Sequence, residues 1–314
     1  MVLRLACIVV VLAVTANVFA AVDCDRACLK TTLDQYLNAV IKHDPSAAPL
    51  LVGFRQTENA TVVKLGNGVW KTITGLGKVQ RRYVDAISGQ AGYFGIVEEN
   101  GAPAIATLRL KVENRKITEA EWVISRKGDP GLNGPAGGNV FDADNLIASP
   151  PPGRVIPKDG RMSRETMIAT ANSYFDGITT HDGSIIMAYP GCSRLENGVT
   201  MTGRGAGPRG GAAAGVTDCT SGLETINIQN VAGRRYPIVD EEAGVVLGMV
   251  VFIRKPGTTT RRNMLSEWFI LDNNKIRTIY AAMFYPPAEM PVPNWPPFDG
   301  NWPLPATLSP APAR

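Results

Sequence analysis

Two α+β domains in tandem, each a curved, mainly antiparallel sheet covered by helices, are the architecture this sequence predicts. Three observations carry that expectation. The stretch from Tyr36 to Asn59 returns from Tyr174 to Asn197: YLNAVIKHDPS then RQTEN in the first copy, YFDGITTHDGS then RLEN in the second. Each copy reads as one amphipathic helix followed by strand-like segments, the order of a sheet with its helices on one side. Between the copies, from Gly128 to Gly160, the composition turns to Gly, Pro, Asn and Asp, as in a linker. Tyr36 pairs with Tyr174, His43 with His181, Asp44 with Asp182, Glu58 with Glu196 and Asn59 with Asn197 at one constant spacing, and the chain has only these 2 histidines. A repeat this long is a duplicated domain, because solenoid units run to roughly 20–50 residues.

The expected boundaries follow: a signal segment at 1–20, a first domain at 22–127, a linker at 128–160, a second domain at 161–287 and a Pro-rich tail at 288–314. Hydrophobic content of 45% and charged content of 19% are those of a globular chain and exclude wholesale disorder. A net charge of +4 with scattered basic residues lacks the concentrated basic face a nucleic-acid partner needs. Arg4, the apolar run Leu5 to Val14 and Val18-Phe19-Ala20 have the form of a secretory signal, cleaved after Ala20 or Ala21. The run is too short for a spanning helix, so no stable membrane insertion is expected after its removal. That places the protein outside the cell or in the secretory lumen.

Loss of the signal removes Cys7 and leaves Cys24, Cys28, Cys192 and Cys219. An even number in an oxidising compartment points to disulfides. Three connectivities exist, and proximity favours Cys24–Cys28 and Cys192–Cys219. Neither pair has a histidine nearby, so no metal is expected. Asn59-Ala60-Thr61 is a glycosylation sequon if its side chain is exposed.

In chain order, Leu29, Leu33, Tyr36, Leu37, Val40 and Ile41 form one buried helical stripe. The helix should end near His43, where Asp44-Pro45-Ser46 brings turn chemistry. Thr57 to Gly77 alternates strand-like pieces with the turn Gly66-Asn67-Gly68. Ala91 to Glu98, Ala104 to Glu113 and Ile117 to Ser125 read as strands, the last two joined by a turn at Glu113-Asn114-Arg115-Lys116. Ser163 is the expected N-cap of the second helix, with Met167, Ala171, Tyr174, Phe175 and Ile178 as its stripe. A Gly/Ala-rich insertion, Gly203 to Gly215, reads as a surface loop. Strands follow at Leu223 to Val231, Val245 to Arg254, Leu265 to Leu271 and Ile276 to Phe284, with a hairpin turn at Asp272-Asn273-Asn274-Lys275. The tail carries Trp295 and Trp302.

A helix ending in His-Asp, a short helix and a hairpin-rich sheet whose last strand opens with Lys-Ile resemble the cone-shaped nuclear transport factor 2-like fold. That superfamily includes ketosteroid isomerase, scytalone dehydratase and polyketide cyclases. CDRACL at Cys24, RQTEN at Arg55, LGNGVW at Leu65, CSRLENG at Cys192 and RRYPIVDEEAGVV at Arg234 resemble a tandem family of secreted fungal and bacterial proteins of unknown function. The resemblance covers roughly residues 24–287. It implies an apolar pocket between helix and sheet in each half, and it implies no single reaction.

Four constellations are candidates for chemistry. His43-Asp44 and His181-Asp182 each suit a general-base pair, but their place at a helix C-terminus favours capping. Arg55, Glu58 and Asn59, with Arg194, Glu196 and Asn197, offer either a pocket carboxylate or a structural Arg–Glu pair at the sheet rim. Glu119 and Glu121 share one strand face; with Trp122 opposite them in the core, a solvated face is favoured. The richest set lies in the second half. Tyr174, Arg235, Glu267 and Tyr280 are the candidate catalytic residues, with Glu196, Asn197 and Tyr236 as substrate contacts. Tyrosine beside an acid in an apolar cavity can stabilise an oxyanion. Phosphate loop, dinucleotide fingerprint, nucleophile elbow and metal cluster are all missing from the sequence, so no cofactor is expected. The expected function is a cofactor-independent lyase, isomerase or cyclase acting on a small apolar or aromatic molecule; the rival is a non-catalytic protein binding a small ligand or wall component. The two halves are expected to form a pseudo-dimer.

Overall fold

The computed structural model describes residues 23–134, 138–202 and 216–287. The signal segment with Cys7, the 203–215 insertion and the tail with Trp295 and Trp302 lie outside the described residues. In the first half, helix α1 (Arg26–Ile41) begins at Asp25, whose carboxylate accepts the Cys28 N–H, and buries Leu29, Leu33, Tyr36, Leu37 and Val40. His43 leaves the helix at a φ of 56°, and Asp44 accepts the Ser46 N–H to start a short 3-10 turn. Strands β1 (Leu50–Glu58) and β2 (Thr61–Val63), helix α2 (Val69–Thr72) and strands β3 (Ile73–Asp85), β4 (Gln90–Glu99), β5 (Ala102–Glu113) and β6 (Lys116–Arg126) complete this half. They form a six-stranded mixed sheet in the order β2-β1-β6-β5-β4-β3, with β1 parallel to β6.

The linker is not plain coil. Helix α3 (Ala143–Ala148) is capped by Asp142, and Leu146 is buried between the two sheets. Gly and Pro on both sides masked this short apolar helix in the sequence. Asn145 donates to the Gly198 carbonyl at 2.6 Å and Arg81 to the Pro151 carbonyl at 2.6 Å, so the linker is tied to both halves.

The second half repeats the plan. Helix α4 (Arg164–Thr180) starts at the Ser163 cap. Strands β7 (Ala188–Glu196), β8 (Val199–Thr200), β9 (Ile228–Asp240), β10 (Val245–Arg254), β11 (Asn263–Asp272) and β12 (Lys275–Phe284) form a sheet in the order β8-β7-β12-β11-β10-β9. Again the strand after the helix runs parallel to the last one. His181 sits at φ 58° and Asp182 accepts the Ser184 N–H, so both His-Asp pairs are turn chemistry. The ring of His43 bonds the Trp70 carbonyl and that of His181 the Ile228 carbonyl. Two disulfides are present, Cys24–Cys28 and Cys192–Cys219.

Alternation along the strands gives each sheet two apolar faces. One face packs on its own helix: Tyr93, Leu108 and Trp122 under α1, Val246, Leu265 and Phe269 under α4. The other faces meet each other, Tyr83, Phe94, Ile105 and Val123 against Ile238, Leu247, Trp268 and Tyr280. Ion pairs cross this contact reciprocally. Arg26 at the start of α1 holds Asp240 at the end of β9 at 2.8 Å, and Arg164 at the start of α4 holds Asp85 at the end of β3 at 2.7 Å. Each aspartate also accepts a backbone N–H from the opposite half, Val84 for Asp240 and Val239 for Asp85.

Candidate functional site

Strand register allows the two halves to be compared side chain by side chain. In the first half the in-register row Glu58–Trp122–Leu108–Tyr93 crosses β1, β6, β5 and β4. The matching row in the second half is Glu196–Ala281–Glu267–Gly248 across β7, β12, β11 and β10. Three bulky core residues have become Ala, Glu and Gly. Under α1 the interior is filled: Tyr36 packs edge-on to Trp70 at 5.3 Å, and Gln56 accepts from both the Tyr36 hydroxyl and the Trp70 indole. Under α4 the position of Gln56 is taken by Arg194, which donates to the Tyr174 hydroxyl and pairs with Glu196 at 2.9 Å. The space above Gly248 is closed by Phe175 and Phe269, whose rings lie about where a Cβ would reach.

Glu267 is the unusual member. It is fully buried, and neither carboxylate oxygen has a hydrogen-bond partner among the described residues. Burial pushes its pKa up to about 8; Arg194 opposes that rise and Glu196 adds to it. The acid is therefore mostly protonated at neutral pH. Burial likewise raises the Tyr174 phenol, against the pull of Arg194. For Arg194 itself burial disfavours the charge, but Glu196, Tyr174 and Glu267 outweigh it and the guanidinium stays charged.

A cavity of about 350 Å³ lies at the end of this half. Arg194 and Glu196 line its inner side, Arg254, Asn263 and Tyr285 contribute further polar groups, and Ile178, Ile228 and Phe252 belong to its apolar wall. Glu267 is not on the wall; it follows Glu196 across Ala281. Cys219 of the second disulfide borders the cavity. Among the described residues no cluster of three or more His, Cys, Asp or Glu side chains is gathered as for a metal, and no helix is long and apolar enough to cross a membrane.

The seven expected site residues separate into groups. Tyr174, Glu267 and Glu196 come together under α4. Tyr236 lies on the same side of the sheet but off the cavity, its hydroxyl donating to Asn172 at 2.6 Å and its ring 6.3 Å from Phe175. Arg235 and Tyr280 point the other way. A register shift opposite Ile270 and Leu271 breaks the alternation that would have put Ile276, Thr278 and Tyr280 on one face. Ile276 faces α4, whereas Tyr280, paired with Trp268, packs 6.1 Å from Phe94 of the first half. Arg235 reaches across to Glu121 at 2.7 Å, and Glu121 also binds Arg109 at 2.7 Å. Burial alone would raise the Glu121 carboxyl, but the two guanidiniums hold it below its ordinary value. Glu119 and Glu121 thus lie opposite Trp122 as expected, yet Glu121 is buried between the sheets, not solvated.

The two asparagines are structural. Asn197 donates to the Met283 carbonyl at 3.0 Å and accepts the Met283 N–H at 2.7 Å, fully buried and off the cavity wall. Asn59 makes the same clamp on Ile124, at 3.0 and 2.9 Å. Its amide nitrogen is therefore engaged in a residue only 8% exposed, so a glycan there would require the clamp to break. The counterpart of Arg194 is Gln56, not Arg55, by the spacing of the repeat and by register alike. Arg254 was overlooked; a strand-by-strand comparison of the copies would have found it, because it stands where the first half has Glu99.

The row and the buried acid fall in one stretch of chain, which also supplies most of the cavity wall. Residues 160–283 match the model of a domain of unknown function, DUF8021. Among curated proteins none matches the chain significantly. The solved structures similar to the chain include a protein of unknown function with a cystatin-like fold from Methylobium petroleophilum PM1, at 20% identity and a TM-score of 0.28, covering 42% of this chain and 84% of that one. The DUF8021-matched region runs from α4 into β12 and holds Tyr174, Arg194, Glu196, Arg254 and Glu267, while Tyr285, Leu132 and Val140 of the cavity wall lie outside it.

Proposed function

We propose that the protein is a secreted, cofactor-independent acid–base enzyme of the lyase, isomerase or cyclase type, working in its second half on a small, largely apolar molecule. In this reading each half is a cone of the nuclear transport factor 2-like kind, and the two form a pseudo-dimer in which the filled first half supports the second. Two disulfides support an oxidising compartment. The observation that carries the chemistry is Glu267: a buried carboxyl without a hydrogen bond among the described residues, at a position where the first half has Leu108. Such a group is costly to keep and is characteristic of sites that move protons.

Glu267, protonated at neutral pH, acts once it is opened toward the inner end of the cavity: its proton goes to a carbonyl or leaving oxygen of the substrate, and the carboxylate so formed takes a proton from the adjacent substrate carbon, whose electron pair forms the new double bond. Arg194 stabilises the carboxylate between the two transfers. The Tyr174 hydroxyl, which accepts from Arg194, directs its own O–H as a second donor to the developing oxyanion. The reacting atom must lie against Arg194, at the inner end of the cavity. The rival reading, a binding protein without turnover, is favoured by one observation: Glu267 is sealed from the cavity wall.

The test begins with protein purified from its native secretion and the small molecules released from it on denaturation, identified by mass spectrometry. Wild type is expected to convert the released compound or its precursor, and Glu267→Gln to bind it without converting it. Equal conversion by both proteins removes the proposal, and binding with no conversion by either establishes the rival.

A further inference from the structure

The corner of each half where the cavity lies is built from equivalent positions, and the two corners have opposite character. In the first half Arg126 joins Glu58 at 2.7 Å and Glu99 at 2.5 Å, a closed ion-pair cluster. Strand register places Glu196 at the position of Glu58, Arg254 at that of Glu99 and Tyr285 at that of Arg126. The central cation has become a phenol, and one of the two carboxylates has become a guanidinium. The cluster is thereby opened. Glu196 turns to Arg194, and Arg254 keeps a single side-chain bond, from Nε to the Asn263 Oδ1 at 2.9 Å. Among the described residues no carboxylate lies within ion-pair distance of its two terminal amino groups.

We infer that the second-half cavity takes a small monoanion with an apolar body, its carboxylate held by the terminal amino groups of Arg254 beside the Tyr285 phenol. A guanidinium with both terminal nitrogens unengaged matches a carboxylate in bidentate fashion. Burial lowers the Arg254 pKa, although Glu196 and Tyr285 pull the other way, so a bound anion would restore what desolvation takes. Single charge is favoured over double. Glu196 lines the same cavity and Asp218 stands at its edge, its carboxylate already accepting from Thr220 and Gly191. Both repel a phosphate dianion. The apolar body would lie against Phe252, Ile228, Ile178 and Leu223. About 350 Å³ is at the small end of ligand pockets, which run to roughly 1,000 Å³. A single ring with a short acid arm suits that space. This inference rests on the reading of the second half as the working site and names the charge of its substrate.

Phenylacetate, 3-phenylpropionate, their uncharged amides and inorganic phosphate are suitable probes, followed by ligand-observed NMR and calorimetry on the whole protein at pH 7. A carboxylate is expected to bind at least tenfold tighter than its amide and than phosphate. Arg254→Met is expected to abolish that preference, and Arg254→Lys to retain part of it; the lysine variant decides the matter if the methionine variant does not fold. Binding is read here without turnover, so a failure of the acid–base reading leaves this result standing. Equal affinity for acid and amide, a preference that survives in Arg254→Met, or no binding of either carboxylate at millimolar concentration overturns the inference while leaving the role of Glu267 untouched.

Discussion

Replacing Glu267 by glutamine tests the burial argument at a single residue, because the amide has the same shape and no charge. A carboxyl raised from 4.5 to about 8 in the folded protein binds its proton more tightly there than in the unfolded chain. Its contribution to stability is complete below about pH 4.5 and is lost progressively as pH rises to about 8. A shift of that size corresponds to a loss on the order of 4–5 kcal/mol. Urea unfolding of wild type should therefore weaken from pH 5 to pH 9, and Glu267→Gln should flatten that slope and exceed wild type at pH 9 by a few kcal/mol. Parallel pH profiles would mean that the carboxyl is solvated or paired. Asn59 is a second single-residue case. Its two bonds to Ile124 are buried and its φ is 48°. Asn59→Ala leaves a backbone donor and acceptor unsatisfied in the left-handed region, at a cost of about 2–4 kcal/mol. Chemical denaturation checks this, and intact-mass analysis from a glycosylating host should find no glycan at Asn59.

At the scale of elements, what could be read from the sequence was local. Helices α1 and α4 announced themselves by period and cap, and the turn at Asp272-Asn273-Asn274-Lys275 by its residues: Asn273 and Asn274 both adopt positive φ. The pairing of Glu119 and Glu121 opposite Trp122 was legible because alternation holds there. Tyr280 was not, since the register shift that turns it away from α4 is set by pairing with β11, not by β12 alone. Nor does β9 show from its own sequence that Arg235 is spoken for by Glu121, 114 residues away. Pairing also separates the two disulfides. Cys24–Cys28 closes a separation of 4 residues at the start of α1, and Cys192–Cys219 one of 27 beside the cavity. Chain-entropy arguments give about 2 kcal/mol for the first and about 3.5 kcal/mol for the second. Serine replacement of Cys192 and Cys219 together is expected to cost more stability than replacement of Cys24 and Cys28. It should also weaken binding of a carboxylate probe, which the other pair of changes should not; equal losses from both would contradict the loop-closure account.

For the molecule as a whole, the decisive surface is the one between the sheets. Trp268 of the second half packs at 4.9 Å from Tyr83 of the first and donates to Thr107 at 2.9 Å, so the halves share a core and do not merely touch. Asp85 and Asp240 are both buried there, each held by an arginine and a backbone N–H from the opposite half. Removing one arginine leaves a buried carboxylate without its cation, which costs about 3–5 kcal/mol. Because each pair spans the halves, that loss falls on both at once. Unfolding of the whole chain should accordingly be one cooperative transition, with fluorescence and far-UV circular dichroism coincident. Arg26→Met and Arg164→Met should each move that single midpoint down by similar amounts, although they alter different helices. If the halves were independent, two transitions would appear and each substitution would shift only one of them. The first half produced alone would expose Tyr83, Phe94, Ile105 and Val123 as one apolar face. It should self-associate through that face, as light scattering would show, since its own sheet offers the complementary surface that the second half normally supplies.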